Sequence, residues 1–70
     1  MVSFFERRGQ FIRCETYDRP DGAWQLLIVE ADGTERIEEF ATPDALDDRL
    51  REVEHDFKTC GWFGPYGRRS

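Results

Sequence analysis

Cysteine and histidine are scarce: Cys14, Cys60 and His55 are all that 70 residues contain. Small disulfide-dependent domains usually carry roughly four to eight cysteines at close spacing. Two cysteines 46 positions apart read instead as free thiols in a reducing compartment. Neither H-E-x-x-H nor a Cys/His pair at zinc spacing occurs, which excludes the common zinc arrangements. Glu52, His55 and Asp56 share one helical face, but a carboxylate near a lone histidine is expected by chance in so acidic a chain. Long apolar runs are also missing, and no window reaches the ~20 residues of a membrane span. Residues 1–8 place their charges after a short apolar run, unlike a secretory signal. The expected location is cytoplasmic.

Positive charge is in deficit as well, ten Lys+Arg against fifteen Asp+Glu for a net charge of −5. Residues 1–29 are neutral, 30–56 carry −8 and 57–70 carry +3. That balance argues against general polyanion binding and against a basic membrane anchor. No nucleophile has an identifiable base beside it in the sequence. Gly61, Gly64 and Gly67 follow a helical stretch, whereas a phosphate-cradling loop precedes one. The chain reads as non-catalytic, with no cofactor and no metal.

Apolar and aromatic residues are plentiful, 39% and 14% of the chain, too many for a disordered segment. Arg19-Pro20-Asp21-Gly22 and Asp32-Gly33 are turn signals between β-rich runs at 10–18, 23–31 and 34–40. Thr42-Pro43-Asp44 starts a helix by capping, by proline at the first helical position and by an acid at the positive dipole end. Leu46, Leu50, Val53, Phe57 and Cys60 form its apolar stripe, and Gly61 and Pro65 end it. The expected fold is α+β: a three-stranded antiparallel β-meander followed by one C-terminal α-helix packed on one face, in two layers (β-β-β-α). Residues 1–70 form a single small domain with its core at about 10–63 and a flexible tail at 64–70. Phe4-Phe5 adds at most a short extension, with Gly9 as a bend.

With bulged turns, Thr16 lies opposite Leu26, Cys14 opposite Ile28 and Trp24 opposite Phe40. A type I′ turn at Asp32-Gly33 would instead exchange Ile37 with Phe40 across the third strand. The central run Trp24-Gln25-Leu26-Leu27-Ile28-Val29 is apolar on both sides, the pattern of a doubly covered strand. One helix covers one face. The other requires the chain's own aromatic ends, a second copy or a different protein. The expected interaction surface is Phe11, Arg13, Tyr17, Leu27, Val29, Trp62, Phe63 and Tyr66. Within it, Trp62 and Phe63 are expected rather to close the domain's own core, while Tyr66 is open to either place. The expected function is a non-catalytic protein-interaction or regulatory module, with an unknown protein or a second copy as partner. Two alternatives stand beside it: a nucleic-acid-binding β-β-β-α module, in which Phe11, Arg13 and Tyr17 work with Arg7, Arg8, Arg68 and Arg69, and a stand-alone monomer whose termini cover the second face. The acidic middle disfavours the nucleic-acid reading.

Overall fold

A computed structural model describes residues 2–68, the side chains of 67 and 68 excepted. Its elements in chain order are β1 (Val2–Arg7), β2 (Gln10–Asp18), β3 (Trp24–Val29), β4 (Glu35–Phe40), α1 (Pro43–Thr59) and β5 (Phe63–Arg68). The fold is α+β with an antiparallel sheet and one helix, but the sheet has five strands in the order β4-β3-β2-β1-β5. The three-stranded meander is therefore corrected by one strand from each end of the chain. β1 turns into β2 through Arg8 and Gly9, both at positive φ (53° and 78°), the geometry of a two-residue hairpin. A carboxylate oxygen of Glu6 accepts from the Gly9 N–H at 3.3 Å.

The two hairpins from β2 to β4 are of the bulged kind. Gly22 N–H donates to the Arg19 carbonyl at 3.0 Å and Gly33 N–H to the Glu30 carbonyl at 2.8 Å, with φ of 86° and 90°. The asparagine-like role falls to Asp21 and Asp32, whose side chains accept from the N–H two residues on. These turns set the pairs Cys14–Ile28, Thr16–Leu26 and Trp24–Phe40. Ile37 consequently shares a face with Leu27, its cross-strand neighbour.

α1 begins as its sequence demands. Thr42 is extended and its hydroxyl accepts from Ala45 N–H at 3.2 Å, with Pro43 and Asp44 in the first turn. At the other end Gly61 takes φ 91°, Gly61 N–H reaches the Lys58 carbonyl and Trp62 N–H the Phe57 carbonyl at 2.9 Å. That is the double-bonded glycine stop of a helix, and it swings Trp62 back onto the stripe.

α1 lies on the inner face of the sheet against β3, β4 and β5. The core is one cluster of Phe5, Ile12, Cys14, Leu26, Ile28, Leu46, Leu50, Val53 and Trp62, with Trp24, Phe40 and Phe57 packed against it. Phe57 stands edge-on to Phe5 at 5.1 Å and 6.5 Å from Trp62. The core thus reaches back to Phe5, ahead of residue 10. Cys60, expected to end the stripe, is exposed, while Cys14 is buried, and both thiols are free. Arg49 ties the helix to β4 through both oxygens of Glu38, at 2.8 and 3.2 Å.

Residues 63–68, read as mostly tail, instead form the edge strand β5. The expectation for Arg69 and Ser70 lies outside the described residues.

Candidate interaction surface

Strand alternation sends every second residue to the face away from α1. The pairing builds this outer face in rows: Ile37, Leu27, Glu15 and Val2; then Glu35, Val29, Arg13, Phe4 and Tyr66. Glu39, Gln25 and Tyr17 flank one side, and Phe11, Glu6 and Phe63 the other. No element among the described residues covers it. Phe11 is 59% exposed, Ile37 58%, Phe63 64% and Tyr66 55%, with Tyr17 and Phe4 also exposed. Leu27 and Val29 are half-buried between these neighbours.

Of the eight residues expected at the surface, seven lie on this face. Trp62 does not. It is 9% exposed and packed in the core, because the glycine stop at Gly61 returns it to the helix stripe. The Arg7 guanidinium lies 4.7 Å from its ring and also donates to the Cys60 carbonyl at 2.9 Å. Phe63, the next residue, takes the opposite side of the sheet and is no part of the core. Phe4, Ile37 and Val2 belong to the face but were not among the expected eight. The signal for Phe4 was the Phe4-Phe5 doublet, since neighbours in a strand face opposite ways.

At the middle of the face, on the central strand, Arg13 Nε stands 2.6 Å from a Glu15 carboxylate oxygen. The Tyr17 hydroxyl donates to the other Glu15 oxygen. That hydrogen bond, strengthened by the carboxylate's charge, raises the phenol's pKa above its ordinary value. At the β4 margin Arg19 pairs with Glu39 at 3.0 Å. The face is therefore an aromatic and aliphatic plane with one self-neutralised charge pair at its centre and acids at its rim.

No family model, curated protein or solved structure matches this chain. Function rests on the chain's own geometry.

Elsewhere, an open depression of about 670 Å³ lies between the β1–β2 turn and the helix C-terminus, lined by Arg7, Arg8, Gln10, Cys60, Gly61 and Phe63. Arg7 is already held at Cys60 and Trp62. Burial pushes the Cys14 thiol up to about 11, with Glu54 adding to the rise, so this cysteine is a packing residue rather than a nucleophile. Among the described residues no three His, Cys, Asp or Glu side chains gather as metal ligands. No helix there is long and apolar enough to cross a membrane.

Proposed function

We propose that this chain is a non-catalytic protein-interaction module that docks through the outer sheet face, in a reducing cytoplasmic setting suited to its two free thiols. One observation carries the reading: the face spans five strands and exposes Phe4, Phe11, Tyr17, Ile37, Phe63 and Tyr66 together. Monomers rarely leave so many large apolar side chains together on one face in water, and aromatic residues are enriched where proteins meet. The aromatic ends support the same reading, because they widen the sheet at its β1 and β5 side and add Phe4, Phe63 and Tyr66 to the plane.

Nucleic-acid binding has less support. Exposed aromatics on a sheet suit base stacking, but Arg13 is spent on Glu15 and Glu6, Glu35 and Glu39 share the face. Arg69 and the Arg68 side chain lie outside the described residues.

The test is Leu27→Arg, which puts an extra cation among Ile37, Glu15 and Val29. The variant is expected to keep the wild-type unfolding free energy, read from urea melts, to within about 1 kcal/mol and to lose protein association in cross-linking of nuclease-treated extracts. Unfolding of the variant, or association that survives unchanged, refutes the docking face. Loss of association on nuclease treatment alone favours the nucleic-acid reading.

A further inference from the structure

We infer that the occupant of the outer face is a second copy of this chain, stacked face to face about a two-fold axis that runs across the strands over Cys14. The inference rests on the docking reading above and names the partner. Its basis is the pattern of charge on the central strand. β2 is the third of five strands, and its outward residues run Phe11, Arg13, Glu15, Tyr17. That sequence is an aromatic, a cation, an anion and an aromatic, centred on Cys14.

A two-fold across the strands reverses β2 onto the second copy's β2. Arg13 then meets Glu15 of the second copy and Glu15 meets its Arg13. Phe11 meets the second copy's Tyr17, and the reverse. On the flanking strands Val29 faces Leu27 of the second copy and Phe4 faces its Val2. Every central contact is apolar on apolar or cation on anion, the reciprocity that a two-fold interface requires. A two-fold through the same centre but along the strands stacks Arg13 on Arg13 and Glu15 on Glu15, and like-charge contact disfavours it. A foreign partner needs no such reciprocity within one face.

The size is sufficient. Strands about 4.8 Å apart with a rise of about 3.4 Å per residue make a five-strand, six-residue face of roughly 24 by 20 Å. Stacking two of them buries on the order of 1,000 Å² in total, the lower bound for a specific pair. The paired charges at the centre lower affinity by their desolvation and set the register. On β4 the same operation sets Glu35 opposite the second copy's Ile37, at the margin where the carboxylate keeps its water, and Glu39 stays outside the contact.

The experiment is sedimentation of the full chain from about 10 µM to about 1 mM, the range where a contact of this size is read. The wild type is expected to shift reversibly from monomer to dimer. Arg13→Glu makes the centre doubly acidic and Glu15→Arg makes it doubly basic, so each variant alone associates at least about tenfold more weakly. Mixed one to one, the two are expected to form a heterodimer, which neither forms alone. Circular dichroism checks that each is folded. Should either misfold, isotope-filtered nuclear Overhauser spectra of wild-type chains replace them, with Phe11–Tyr17 contacts between copies expected. A wild type that stays monomeric throughout, variants that dimerise undiminished, a mixture that fails to associate, or intermolecular contacts from another face each overturn the second-copy assignment. If the wild type is monomeric yet Leu27→Arg remains folded and loses another protein, the docking face stands and only its occupant changes.

Discussion

Gly64 shows how much one missing side chain can decide. A Cβ there would lie 2.7 Å from the Phe4 carbonyl oxygen and 2.9 Å from a Phe5 ring carbon, at φ 145°. The strand that brings Tyr66 and Phe63 to the outer face can approach β1 only because that atom is absent. Gly33 also has positive φ, but a Cβ there meets nothing within 4 Å. Gly64→Ala is therefore expected to cost about 1–3 kcal/mol through overlap with backbone, and Gly33→Ala nearer 1 kcal/mol through conformation alone. Urea denaturation of the two variants side by side checks the ranking. Equal losses would mean that β5 yields easily and that Gly64 is a turn glycine like the other.

Between helix and sheet the fastening is ionic as well as apolar. Arg49 holds both oxygens of Glu38, and this hydrogen bonding keeps the Glu38 carboxyl below its ordinary value. A carboxyl depressed in the fold stabilises above its unfolded value, here 4.5, and that contribution disappears as pH falls through the folded value. Glu38→Gln is expected to lower stability by about 1 kcal/mol or less at pH 7 and to lie closer to the wild type at pH 3, below the unfolded value. Urea melts at both pH values test this; a gap that persists in acid would assign the loss to packing instead. The helix, its cap and the β2–β3 register were legible in the sequence because each rests on a local rule: Thr42-Pro43, a stripe at helical spacing, and Pro20-Asp21-Gly22 in a turn. The facing of β4 stays open in the sequence between two turn types at Asp32-Gly33, and the bulged turn decides it. β1 and β5 were not. Arg8-Gly9 lacks the Asn or Asp that usually marks such a tight turn, and Phe63-Gly64-Pro65-Tyr66-Gly67-Arg68 contains three poor strand formers. Those residues become a strand only by tertiary contact with β1. The surface followed the same division. Phe11, Arg13, Tyr17, Leu27 and Val29 came from alternation, whereas Trp62 and Phe63, offered for the surface but favoured for the core, divide: Trp62 is buried and Phe63 exposed, a split set by the glycine stop.

For the molecule as a whole, a thin two-layer α+β fold with one bare side has a core too small for large stability, about 3–5 kcal/mol. Covering the bare side adds to it by mass action. The wild-type melting midpoint is therefore expected to rise with protein concentration, while that of Leu27→Arg stays flat; calorimetry over a hundredfold dilution reads the difference, and a flat wild-type series counts against a second copy. The strand borders have a consequence of their own. One border is the glutamate-rich β4, and the other contains Pro65, which has no N–H to offer a neighbour. Lateral growth into ribbons is discouraged at both borders, which leaves the proposed stacking direction for a second copy. In the proposed pair each chain presents its helix outward, and no second bare sheet face is left for a further copy.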